Sequence, residues 1–216
     1  MGQKELNRGR FITFEGGEGA GKSTQVQRLV AALAQAGIRA ERTREPGGAE
    51  GAEEIRRLLV EGEPDRWDAL SEALLVTAAR RAHLRSRIWP ALERGAWVVC
   101  DRFADSTMAY QGYGGGVPRA DLAVLYRMIA GDFAPDLTLI LDLPVELGLQ
   151  RAATRQGNET RFENMDRAFH ERLRQGFLDI ARLESHRCAI IDAAADTDAV
   201  HHAVLGVVRS RLGIDL

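Results

Sequence analysis

The apolar residues of this chain fall into two rhythms that alternate from end to end. Short apolar runs at residues 11–14, 38–42, 97–101, 137–142 and 187–192 read as strands. Several are continuously apolar rather than alternating, the pattern of a parallel strand covered on both faces. Between them the spacing turns helical. Val26, Leu29, Val30 and Leu33 lie at i, i+3, i+4 and i+7, one face of a helix that Gly37 can stop. Pro118 can open a helix with the face Leu122, Leu125, Tyr126 and Ile129, and Gly131 can close it. A helical stretch from about residue 67 to 94 is interrupted by Pro90, which either kinks it or marks a helix start. There is no internal repeat and no low-complexity segment. This βαβ rhythm predicts an α/β fold, a three-layer α/β/α sandwich whose ligands gather outside the carboxyl ends of the strands.

Composition narrows the class without changing it. The chain has 216 residues, 45% hydrophobic and 28% charged, as expected of one globular domain with a sizeable core. No apolar run reaches membrane-spanning length and residues 1–10 are polar, so the expectation is a cytoplasmic protein with no membrane partner. The net charge of −2 provides no global field for nucleic acid, so any anion site must be local. Cys100 and Cys188 lie in apolar runs with no CxxC, which predicts buried free thiols.

The chemistry starts just after the first strand. Gly16, Gly17, Glu18, Gly19, Ala20, Gly21, Lys22 and Ser23, followed by Thr24, spell G-x-x-x-x-G-K-[ST], between an apolar strand and an amphipathic helix. Such a loop aims backbone N–H groups and the positive end of a helix dipole at one point, where an anion belongs. Lys22 would reach the β/γ-phosphates of ATP, and the Ser23 hydroxyl would help hold Mg²⁺. Lys4 and Lys22 are the only lysines in a chain that otherwise places its positive charge on arginine. A compact ammonium fits beneath a phosphate where a guanidinium fork does not.

The other predicted strand ends carry further candidates. After the second comes Thr43-Arg44-Glu45-Pro46-Gly47-Gly48, and after the third Asp101-Arg102-Phe103. Asp101 is placed to orient Mg²⁺ and Arg102 to fork onto a phosphate. Asp142 competes for the carboxylate role, but it precedes Pro144 and reads as a cap for the helix starting there. Arg151, Arg155, Arg161 and Arg167 flank a polar stretch containing Gly157. They are either a solvated helix face or the arginines of a lid closing over a transferring phosphoryl group.

These segments, with Ala109-Tyr110-Gln111-Gly112, resemble bacterial thymidylate kinases, in order, from about residue 10 to the C-terminus. The resemblance implies the P-loop nucleoside-monophosphate kinase fold with a five-stranded parallel sheet, a homodimer, and the reaction ATP + dTMP → ADP + dTDP in dTTP synthesis. It implies a polar extension at 1–9, a single domain at 10–216 and a mobile lid at about 151–163. Glu18 then matches the loop acid near the deoxyribose 3′-OH. Arg80 and Arg102 match arginines on the acceptor phosphate, with Asp101 beside the reacting centre. Arg44, Pro46 and Ser106 fall along the acceptor, Thr107 and Gln111 along the thymine, and Tyr110 crowds the sugar 2′ position. Gly19 stands where the eukaryotic type carries a catalytic arginine, so Arg151, Arg155 and Arg161 are expected to supply that charge from the lid.

Four positions depart from the family pattern: Val76 for a thymine-stacking phenylalanine, Phe103 for Tyr or His, Gly115 for arginine and Thr160 for aspartate. They bear on base selectivity and lid closure rather than on phosphoryl transfer. The rival readings are a kinase for another monophosphate such as dUMP or UMP, a regulatory GTPase, and a non-catalytic nucleotide-binding relative. With only two lysines, no N/T-K-x-D guanine-reading run exists, which removes the GTPase.

Overall fold

A computed structural model describes residues 8–154 and 161–216. In chain order the elements are β1 (Phe11–Glu15), α1 (Lys22–Gln35), β2 (Ala40–Arg44), α2 (Glu50–Val60), α3 (Ala69–His83), α4 (Trp89–Glu93), β3 (Trp97–Asp101) and α5 (Ala104–Thr107). There follow α6 (Arg119–Ala130), β4 (Leu137–Asp142), α7 (Val145–Ala153), α8 (Arg167–Leu183), β5 (Cys188–Asp192) and α9 (Thr197–Leu212). The strands form one parallel sheet in the order β2-β3-β1-β4-β5. One face is covered by α1 and α9 through Leu29, Leu33, Val204 and Val208. The other is covered by Leu84, Ile88 and Leu92, which pack with Phe11 and Phe103, and by α8 through Leu173 and Phe177. The three layers expected from the apolar rhythm are present.

The start of the second strand differs from the sequence reading for a local reason. The second strand starts at Ala40, two residues later than expected, because Ile38 is used to finish α1. Its N–H donates to the Leu33 carbonyl at 2.8 Å while that of Gly37, at φ 75°, donates to Ala34 at 3.0 Å. This is a Schellman closure, which satisfies carbonyls the helix would otherwise leave open. Pro90 proves to mark a helix start. A π-helical turn, Leu84–Ile88, carries the chain from α3 into α4, and Pro90 sits just after it, where the wider turn accommodates the helix bond that the proline cannot donate. Pro118 and Gly131 bound α6 as expected.

Cys100 and Cys188 are buried and unbridged, as expected. Among the described residues, no helix is long and apolar enough to cross a membrane.

Candidate active site

The loop after β1 folds tightly because Gly16, Gly19 and Gly21 adopt φ of 133°, 67° and 85°, which side chains with a Cβ resist. Gly21 caps α1 with no side-chain acceptor, and no acid lies in the first turn, so the N–H groups and positive dipole end of α1 face the loop. Lys22 folds over the loop, its Nζ donating to the carbonyls of Gly17 at 2.7 Å and Gly16 at 3.1 Å. Burial, helped by the nearby Arg102 charge, pulls its ammonium down to about 8, against the pull of Glu18 and Asp101. The Ser23 hydroxyl donates to Asp101 Oδ2 at 2.5 Å. A hydroxyl and a carboxylate in contact beside a phosphate loop are hard oxygen donors that fit Mg²⁺, an ion held by few protein ligands plus phosphates.

Arg102 is the residue that joins this loop to everything else. Alone among described non-glycine residues it has a positive φ, 66°. The turn is gripped by β1: its N–H donates to the Phe14 carbonyl at 2.8 Å, and the next N–H, of Phe103, donates to the Glu15 carboxylate at 2.7 Å. Glu15 also accepts from the Ser106 hydroxyl at 2.6 Å. Burial, with Asp105 adding to it, pushes the Glu15 carboxyl up to about 7, against Ser106 and Arg102. Turned this way, the Arg102 guanidinium donates to the Gly16 carbonyl and to Glu18 Oε1, each at 2.9 Å, and lies 4.9 Å over the Tyr110 ring. The Tyr110 hydroxyl donates to the same Glu18 oxygen at 2.5 Å. Burial works to raise the Glu18 carboxyl, but Arg102, Lys22 and the Tyr110 hydroxyl prevail and hold it at about 2.

Beside this hub opens a cleft of about 300 Å³, the size of a small-molecule site. Its polar wall includes Glu18, Lys22, Arg44, Arg56, Arg102 and Ser106, and its apolar wall Leu59, Val60, Val76, Tyr110 and Phe162. Pro46, Thr107, Gln111, Ser23 and Asp101 also line it. Arg44 donates to Glu53 at 3.1 Å, and Arg56 to the Pro46 carbonyl at 2.7 Å. The Gln111 amide donates to Glu72 at 2.8 Å.

Several expectations change at this point. Arg161, expected on the lid over the reacting phosphate, is 0% exposed, its donors spent on three carbonyls and Glu72. Arg80, expected on the acceptor phosphate, is 2% exposed and lies behind the cleft wall. It donates to Glu45 at 2.7 Å and to Thr107 and the Phe103 carbonyl at 3.0 Å, so it props that wall. Asp142 caps nothing: Pro144 sits at the cap of α7, and Asp142 instead takes a bidentate pair from Arg174 at 2.8 and 2.9 Å. Arg151 reaches the carbonyls of Ala193 and Ala194 after β5, at 2.9 and 3.3 Å. Arg167 is solvent-exposed and paired with Glu146 and Glu171, a solvated face. Arg155 and Thr160 lie outside the described residues.

Two of the departures have a packing reason. A Cβ at Gly115 would meet the Ala69 Cβ at 2.6 Å, and Phe103 is fully buried edge-on to Phe11 at 4.9 Å. Arg56, Glu72 and Phe162 carry no signal in the sequence. Each reaches the cleft, or props its wall, through a contact that only the folded chain makes.

A phosphate-cradling loop that shares one arginine with a second, nucleotide-sized cleft belongs to an enzyme with two nucleotide substrates, and fold and site together are those of the P-loop nucleoside-monophosphate kinases. The thymidylate kinase family model matches residues 14–204. Thymidylate kinase of Caulobacter vibrioides is 57% identical over 209 residues, covering 97% of this chain and 100% of that protein. The enzyme of the same name from Nitrobacter hamburgensis is 53% identical over 209 residues, covering 96% and 91%. The crystal structure of thymidylate kinase from Ehrlichia chaffeensis aligns with a TM-score of 0.75 at 37% identity, covering 93% of this chain and 99% of that one. The chain belongs to the thymidylate kinase family.

Proposed function

We propose that the protein transfers the γ-phosphoryl group of ATP to dTMP, giving ADP and dTDP for dTTP synthesis. The observation that carries this reading is Arg102, whose guanidinium binds the P-loop at Gly16 and Glu18 while lying against Tyr110 in the cleft. The loop N–H groups and Lys22 hold the donor phosphates. The cleft takes the acceptor, with Arg44 and Arg102 toward its phosphate, Glu18 and Tyr110 toward its sugar, and Val76, Thr107 and Gln111 toward its base. An acceptor phosphate oxygen attacks the γ-phosphorus in line, and Lys22, Arg102 and the loop amides stabilise charge spread over the transferring group. Ser23 and Asp101 would hold Mg²⁺ through oxygen, and the bound ion would neutralise phosphate charge. The lid expected at 151–163 draws back to the stretch before Arg161, which is buried against Glu72, and carries Arg151 and Arg155, on the single domain of residues 10–216. Two buried, unbridged thiols suit a reducing cytoplasm.

A coupled ADP-release assay with dTMP, dUMP and UMP at equal concentration tests the assignment. We expect dTMP to be preferred and UMP to be poorest, because the Tyr110 ring leaves little room at the sugar 2′ position. Equal turnover of UMP and dTMP would sink this reading.

The protein also acts as a homodimer in this proposal. Leu70 and Leu74 on α3, and Val124 and Met128 on α6, are exposed at i, i+4 spacing on two helices that pack together. Such an apolar strip on two neighbouring helices is a surface that a second copy can cover.

A further inference from the structure

Arg161 is held more firmly than a lid arginine can be. Its Nε donates to the Glu63 carbonyl at 3.0 Å, and its terminal nitrogens donate to Leu59 at 3.2 Å, Trp67 at 3.3 Å and the Glu72 carboxylate at 2.5 Å. Swinging out over the P-loop would strand a buried carboxylate and three carbonyls, so the guanidinium stays. What it does from there is visible on the adjacent residue: its carbon lies 5.1 Å over the Phe162 ring. That ring and the Tyr110 ring meet edge to face, with centroids 5.2 Å apart and an interplanar angle of 85°.

Phe162 and Tyr110 are the aromatic rings among the residues lining the cleft. Tyr110 is committed elsewhere, one face under Arg102 and its hydroxyl on Glu18. The remaining apolar lining, Leu59, Val60 and Val76, is aliphatic and comes from α2 and α3. A nucleobase is a flat ring that gains most from an aromatic surface, and Phe162 is the ring left to give one.

We propose that Phe162 is the aromatic surface on which the acceptor base packs, and that Arg161 is the positioning residue that holds it there. The inference rests on the acceptor occupying this cleft, as argued above. It makes base recognition depend on a residue that follows the lid in sequence, so the chain entering and leaving the donor side is fastened into the acceptor side.

The test is steady-state kinetics with the two substrates varied separately. Phe162→Leu keeps an apolar side chain but removes the ring. We expect it to raise the dTMP KM about tenfold, with ATP KM and kcat within about twofold of wild type. Val76→Phe added to Phe162→Leu returns a ring to the same cleft and should recover most of that loss. Arg161→Lys keeps the charge but loses the fork, and should likewise raise the dTMP KM with kcat little changed. An unchanged dTMP KM in Phe162→Leu overturns the proposal, as does a hundredfold fall of kcat at constant KM in Arg161→Lys, the mark of a residue on the transferring phosphate. Gln111→Ala separates the two levels. If it raises the dTMP KM while Phe162→Leu does not, the cleft binds the acceptor and Phe162 is not its platform. If neither shifts it, the acceptor-site reading falls as well.

Discussion

At the scale of single residues, the site is a set of side chains pulled away from their usual behaviour. Arg102 holds a backbone conformation that costs an ordinary L-residue about 1 kcal/mol, and strand β1 grips the turn on both sides of it. This separates two contributions. Lys22→Ala, Arg102→Ala and Arg102→Gly should each lower turnover by about a hundredfold or more in a coupled assay. Yet Arg102→Gly should be the more stable of the two Arg102 variants by about 1 kcal/mol in urea unfolding, since glycine adopts positive φ freely. Near wild-type turnover in either arginine variant would remove Arg102 from the mechanism. Lys22 gives a pH signature. Its folded-state value is lowered to about 8, so the free enzyme keeps the useful ammonium below that pH and loses it above. The kcat/KM for ATP, which reports the free enzyme, should therefore fall about tenfold per unit above pH 8. A flat profile to pH 9.5 would show that the lysine either stays charged above that pH or is not needed as a cation. Lys22 was legible because a fixed spacing announces it. The tie of Glu15 to Phe103 and Ser106 was not, because a glutamate ending an apolar strand carries no mark of what it will receive.

At the scale of elements, the P-loop leans on α7 backbone to backbone. A Cβ at Gly148 would lie 2.5 Å from the Glu18 carbonyl, and one at Gly19 would lie 2.0 Å from the Gly148 carbonyl. Gly148→Ala should therefore push the loop out of shape and lower kcat/KM for ATP by about tenfold or more. Gly206→Ala is the control, because nothing lies within 4 Å of its Cβ on α9. That variant should keep activity and gain about 0.5–1 kcal/mol of stability. Equal effects of the two substitutions on activity would show that the contact is not what shapes the loop. The strands were readable from their continuous apolar runs. The start of β2 was not, because Ile38 serves the end of α1 before the sheet begins. Gly148 was not readable either: in sequence it is a glycine inside a helix, and its reason lies in a loop over 120 residues earlier.

At the scale of the whole molecule, sequence gave the layers but not their order, and it placed the arginines of 151–161 on one lid. Spacing cannot show that Arg161 meets Glu72, 89 positions away, a pairing that keeps it from the transferring phosphate. The same limit applies to the α3–α6 face, where Leu70, Leu74, Val124 and Met128 lie far apart in sequence. Leu74→Glu with Met128→Glu should shift the protein from dimer to monomer in light scattering after gel filtration, since charges placed in an apolar contact oppose pairing. A wild-type protein that is already monomeric at micromolar concentration would end that proposal.

The strand order has a consequence in time. β1 lies between β3 and β4, so the residues that precede the phosphate loop are paired on one side by residues 97–101 and on the other by 137–142. A ribosome delivers the loop well before its second neighbour, β4, which starts only at Leu137. The nucleotide pocket thus cannot be assembled in the order in which it is written, and nascent chains arrested short of β4 should bind no ATP.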